Sequence, residues 1–150
     1  MKLSFLRNSL MIILITAIHY SCSSTSASLL GSMAGNAELS GISILLKNAG
    51  GFRNITGQKD GPFTLLAPTN NALSTLGVET LETLLKPENK EMLKGLLKKH
   101  ILPGKYTQEK IHKAGLKDVE GNSLNFGDAI ITETIPTKGG VIHVINTVIQ

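Results

Sequence analysis

A single cysteine in 150 residues excludes an internal disulfide framework and any multi-cysteine zinc or iron–sulfur site. Tryptophan is absent. Charged residues make up only 17% of the chain and the mean hydropathy is +0.12, which excludes a disordered acidic or basic polymer. The catalytic signatures are missing as well. There is no G-x-S-x-G elbow, no P-loop, no G-x-G-x-x-G, no C-x-x-C, no H-x-H and no H-E-x-x-H. The acidic pair Asp118/Glu120 flanks an expected hairpin turn, where solvent exposure is the default and nothing tunes a carboxyl for acid–base work. The expectation is a non-enzyme with no catalytic residue, no cofactor and no metal. The length suits one domain.

What is present begins with a leader. Lys2 and Arg7 are the only charges before residue 47 apart from Glu38. An uncharged stretch runs from Arg7 to Cys22, with Leu10–Ile18 as its apolar centre. A basic start followed by an apolar run of this length reads as a signal peptide over residues 1–21. It falls short of the ~20 apolar residues of a permanent membrane span. Ser21-Cys22-Ser23 at the end of the run resembles a bacterial lipoprotein lipobox, although His19 stands where such sequences usually carry Leu. The resemblance implies cleavage before Cys22 and diacylation of its sulfur. Residues 22–35 are then expected to be a Ser-rich tether. Losing Lys2 and Arg7 leaves 13 basic against 11 acidic residues, a net charge of +2, so charge alone argues for no nucleic-acid partner.

From Asn36 the chain reads as globular, and the domain is placed at 36–150. Asn36 suits a helix N-cap, Leu39, Ile42, Leu45 and Leu46 recur at helical spacing, and Gly50-Gly51 stops the run. Phe52 and Ile55 mark a short helical turn. Lys59–Pro62 is a turn, Phe63–Ala67 a strand, and Thr69 the cap of a helix holding Ala72, Leu73 and Leu76. Val78, Leu81, Leu84 and Leu85 form another apolar stripe. Pro87 opens a helix with Met92, Leu93, Leu96, Leu97 and Ile101 on one face and Lys90, Lys94 and Lys98 on the other. In the C-terminal third the period changes. Leu116–Val119 and Ser123–Phe126 suggest a hairpin about Gly121-Asn122. Ala129–Ile135 reads as a strand, and Val141–Ile149, apolar on both faces, as a central covered strand. Helices first and strands later favour α+β over alternating α/β.

Three segments together resemble the fasciclin (FAS1) family. Phe63-Thr64-Leu65-Leu66-Ala67-Pro68-Thr69-Asn70-Asn71-Ala72-Leu73 is similar to its first signature, a strand followed by Ala-Pro-Thr-Asn and a helix. Leu96–Gly104 resembles its middle motif, a Leu-rich helix ending in Tyr-His and an apolar pair. Gly140–Ile149 resembles its closing strand. The resemblance implies an α+β fold, a β-wedge of two sheets with packed helices. It also implies a role in adhesion or binding at a cell surface. Lys99 stands where the family has Tyr before His100, Asn146 where it has Asp, and Gly139 where it has Asn before Gly140. In animal relatives the Tyr-His pair is associated with integrin binding, so the resemblance does not bring that activity here.

The candidate residues follow. Thr69, Asn70 and His143 are expected to be structural, Thr69 and Asn70 through local backbone hydrogen bonds. His100, at the end of an apolar helix face, is read as holding a backbone carbonyl, with partner contact as the alternative. Lys90, Lys94 and Lys98, extended by Lys86 and Lys99, are a solvated face or a contact for anionic glycans or headgroups. Cys22 is the lipid attachment point. The protein is therefore expected to be exported and held at the cell envelope, at the outer membrane or cell surface. Its partners would be the membrane, through its lipid, and a glycan or envelope protein; no disulfide-linked partner and no nucleic acid is expected. The rival reading is a carrier for a glycan or a small apolar ligand. A concave pocket with convergent polar groups would favour it.

Overall fold

The computed structural model describes residues 25–57, 61–113 and 115–150. The leader over 1–21, Cys22 and the turn at Lys59-Asp60 lie outside the described residues. Helix α1 (Thr25–Met33) already belongs to the domain. Leu29 and Met33 sit one turn apart on it and both are buried in the main core, where α1 packs on the sheet and on the next helix. The tether expected over 22–35 is thus corrected: from Thr25 the chain is helical. Burying two large apolar side chains outweighs the flexible Ser-rich composition.

Asn36 caps a short 3-10 turn, Ala37–Leu39, its Oδ1 accepting from the Glu38 amide at 3.0 Å. Helix α2 (Ser40–Asn48) buries Ile42, Leu45 and Leu46, and α3 (Phe52–Ile55) buries both its apolar ends. Strand β1 (Phe63–Pro68) leads into α4 (Asn70–Ser74), then α5 (Val78–Leu85) and α6 (Lys90–Lys98). Strand β2 (Ile101–Pro103), the short α7 (Gln108–Ile111) and the hairpin β3 (Ile131–Thr137)–β4 (Gly140–Ile145) complete the chain.

The four strands form one sheet in the order β2-β1-β4-β3. Strand β1 runs antiparallel to β2 and parallel to β4, and β3 is antiparallel to β4. The inner strands β1 and β4 are covered on both faces. Leu65, Ala67, Ile142 and Val144 point into the helical core with Leu46, Phe52 and Leu97. Leu66 and Ile145, on the opposite face, join Leu102, Ile111, Leu116, Ile131 and Ile149 in a second cluster. The two-residue period of a strand divides the side chains between the two clusters. Where β4 begins, Gly140 lies against β1 at φ 155, and a Cβ there would stand 1.8 Å from the Phe63 carbonyl oxygen.

Four expectations change. The stripe on α5 is not core: only Leu84 is buried, while Val78 is 71% and Leu85 39% exposed. Leu84 lies about 100° around the helix from its neighbour, so burying it turns Leu85 and Val78 toward solvent. Met92 on α6 is likewise exposed beside the buried Leu93 and Leu97. The hairpin at 116–126 is reduced to a single bridge, Lys117 to Ser123, so the described residues hold one named sheet where the resemblance implied two. Asp118 accounts for the early stop. It is buried, and its Oδ1 accepts from the Glu120 and Asn122 amides at 2.8 and 2.9 Å, which folds the backbone into a tight turn. The closing strand ends at Ile145, because Asn146 leaves the ladder to pair with Ile130, donating from its amide and accepting at Oδ1.

Candidate functional site

His100 follows the last turn of α6 and is 1% exposed. Its Nδ1 lies 2.9 Å from the Leu96 carbonyl, and the Ile149 amide donates to its Nε2 at 3.1 Å. A carbonyl can only accept and an amide can only donate, so the ring is neutral with its proton on Nδ1. Burial, chiefly, lowers its pKa to about 4. Its backbone is also used: the amide donates to Leu97 and the carbonyl accepts from Leu66 at 2.7 Å. One residue thereby ties α6, β1 and the C-terminal segment together.

His143 does similar work with the opposite tautomer. Its Nε2 donates to the Tyr106 carbonyl at 2.8 Å, and its Nδ1 accepts from the Thr134 hydroxyl at 2.9 Å. Burial lowers its pKa too. The Tyr106 amide in turn donates to Thr64 Oγ1, which donates to the Gly104 carbonyl. The segment after β2 is thus clipped to the sheet.

Thr69 caps α4 as expected, accepting from the Ala72 amide at 3.1 Å. Asn70 reaches much further than local backbone. Its Oδ1 accepts from the Gly41 amide at 2.8 Å, and its Nδ2 donates to the Ala37 carbonyl and to Ser40 Oγ. It clamps α4 to the start of α2, where a Cβ on Gly41 would come within 2.8 Å of Asn70 Oδ1 and 2.7 Å of Leu73. Nothing in the sequence signals this partner. The buried Asp118 was missed for the same reason.

The lysines part company. Lys94 pairs with Glu91 at 2.7 Å, and its hydrogen bond holds that carboxyl below its ordinary range. Lys98 pairs with Glu120 at 2.7 Å, joining α6 to the Asp118 turn. Lys90 is exposed, with no ion pair among the described residues. His112 is exposed and stacks edge-on against Phe126 with ring centres 5.2 Å apart. Among the described residues no three His, Cys, Asp or Glu side chains come together as a metal site, and no helix is long and apolar enough to cross a membrane.

A concavity that sequence reasoning missed lies between α2, α4 and α5. It is a cavity of about 320 Å³ lined by Ile44, Leu45, Leu73, Leu81 and Leu85, with Asn70 at its edge. The phase of the α5 stripe was the available signal: Val78, Leu81 and Leu85 share a side from which Leu84 departs.

The model of the Fasciclin domain family matches residues 37–150. The chain belongs to the fasciclin domain family. Over 100 residues it is 37% identical to Protein sll1483 of Synechocystis, an alignment covering 60% of this chain and 56% of that one. The chain therefore spans about half the length of that relative. A second Synechocystis protein, sll1735, is 33% identical over 61% of this chain and 75% of its own. Transforming growth factor-beta-induced protein ig-h3 of Oryctolagus cuniculus is 37% identical over 59% of this chain and 14% of its own. Among solved structures, a FAS1 domain pair from the insect cell adhesion molecule Fasciclin I is 16% identical, with a TM-score of 0.44, covering 79% of this chain and 43% of that one. Fasciclin domains are generally non-catalytic adhesion or binding domains.

Proposed function

We propose that this fasciclin protein is a lipid-anchored binding domain of the cell envelope, exported by its leader, diacylated at Cys22 and displayed at the outer membrane or cell surface to bind a glycan or envelope protein. The observation that carries the reading is a fasciclin domain over 37–150 set directly behind an apolar leader that ends in the chain's only cysteine. In this reading only Ser23 and Ser24 separate Cys22 from α1 in the sequence, so an acyl group on Cys22 would hold the domain close to the membrane.

Lys90, Lys94 and Lys98 are the polar contact surface in this reading. The ion pairs of Lys94 and Lys98 are to exposed or half-exposed carboxylates, weakened by solvent screening, and an anionic partner can exchange for them. His100 is a structural residue, since a buried ring with both nitrogens engaged has nothing to offer a partner. The apolar cavity beside α5 supports the carrier reading. Its polar neighbours Asn70 and Ser40 bond each other and nearby backbone, which disfavours a glycan there and leaves only an apolar ligand.

Phase partitioning of envelope extracts tests the anchor. The wild-type protein is expected in the detergent phase and the Cys22→Ala variant either unprocessed or released. Processed wild-type protein in the aqueous phase, unlipidated, overturns the reading.

A further inference from the structure

Helix α5 turns its apolar ridge outward. Val78, Leu81 and Leu85 follow one another at helical spacing, and Ile44, itself 52% exposed, faces Leu81 and Leu85 from α2 across the cavity. The polar groups at the cavity are spent within the chain: Asn70 on Gly41, Ala37 and Ser40, and Ser74 on the Asn71 carbonyl. What fits such a face is apolar and shaped to a groove.

The ridge carries that shape beside the groove. Leu85, at one end of α5, lines the groove; Val78 projects at the other end, roughly 10 Å away along the axis. The charges divide in the same direction. Glu79 lies in the first turn of α5 and Glu82 near its middle, whereas Lys86 and Lys90 flank the Leu85 end, where Glu88 also lies. Glu79, Glu82, Lys86 and Lys90 form no ion pair among the described residues. A surface with knob and hole, and acid and base, at opposite ends of one short helix is complementary to itself under a two-fold rotation.

We propose that this face is a homodimer interface in which two copies of the chain pack α5 antiparallel to α5. Val78 of each copy then enters the groove formed by Ile44, Leu81 and Leu85 of the other, and Glu79 of each copy lies beside Lys86 of the other. The apolar contacts supply the affinity and the charges fix the antiparallel direction. The proposal is independent of the lipid anchor and of what the domain binds.

Sedimentation equilibrium of the full chain carrying Cys22→Ala, so that no lipid drives association, is the test. A reversible dimer is expected. Val78→Asp should weaken it at least about tenfold, the scale of losing one buried anchor, with the thermal melt unchanged because Val78 lies on the surface. Glu79→Lys and Lys86→Glu should each weaken the dimer, and the two together in one chain should restore it, since the swap rebuilds the complementarity. A monomer at every concentration overturns the proposal. A dimer indifferent to Val78→Asp, or a double variant weaker than both singles, also overturns it.

Discussion

Removing the His100 ring should destabilise the protein by an amount that depends on pH, and the dependence is the diagnostic part. At pH 7 the ring is neutral whether the chain is folded or not. His100→Ala there strands the Ile149 amide and the Leu96 carbonyl inside the core and leaves a hole, a loss of about 2–4 kcal/mol. As the pH falls below 6.5, the unfolded chain takes a proton at this residue while the folded one does not until about pH 4. The proton would go to Nε2, where the Ile149 N–H already points, and so would set one donor against another. A folded pKa depressed in this way gives stability that is complete above the unfolded value and drains away as the pH drops. About 2.5 pH units correspond to roughly 3 kcal/mol lost by pH 4. His143 and the carboxylates add their own pH dependence, which cancels in the difference between wild type and variant. Urea unfolding of both proteins from pH 7 to pH 4 should therefore show a gap that closes toward acid. An NMR titration of the wild type should place His100 near pH 4. A gap that stays constant across this range, or a His100 that titrates near 6.5 in the folded protein, would refute the tautomer and the burial argument together.

Other substitutions probe the remaining joints. Gly140→Ala drives a Cβ into the Phe63 carbonyl and should cost about 4 kcal/mol or more, read as loss of cooperative unfolding or of soluble protein. Leu65→Ala, in the centre of β1, should cost about 2–5 kcal/mol in a thermal or urea melt. Asn70→Ala should cost about 1–3 kcal/mol by stranding the Gly41 amide, with faster amide exchange at the start of α2 as the local sign. Charge reversal at Lys94 and Lys98 should leave the thermal melt nearly unchanged, because both ion pairs are solvent-screened, yet weaken any salt-sensitive attachment to anionic surfaces.

Parts of the fold were legible because local chemistry decides them. The caps at Asn36 and Thr69, the stop at Gly50-Gly51 and the two-sided burial of β4 are each dictated within a few residues of chain. The illegible parts depend on which way an element is rolled when it docks. On α5, Leu81, Leu84 and Leu85 are equivalent in composition, and only packing against its neighbours selects Leu84 for the core. Asp118 was illegible for a related reason. An acidic residue beside a Gly-Asn turn is exposed by default, and here three hydrogen bonds from its own turn replace the water it loses.

The residues that carry the family resemblance are, on this geometry, occupied with holding the domain together. Thr69 caps, Asn70 clamps α4 to α2, His100 binds the C-terminal segment, His143 clips the segment after β2, and Gly140 lets β4 approach β1. Each spends its polar atoms inside the chain, so none is free to choose a partner. A substitution at one of them lowers stability first and binding only as folded protein is lost. In the proposed reading, partner choice resides on surfaces away from these five residues: the lysine face of α6, the apolar ridge of α5 and the rim around Ile44. A variant series across those three surfaces should therefore separate into members that bind differently at unchanged stability. The same series across the signature residues should fall on a single line relating binding to the folded fraction. A signature-residue variant that binds differently while fully folded would break that line and place the residue at the contact surface.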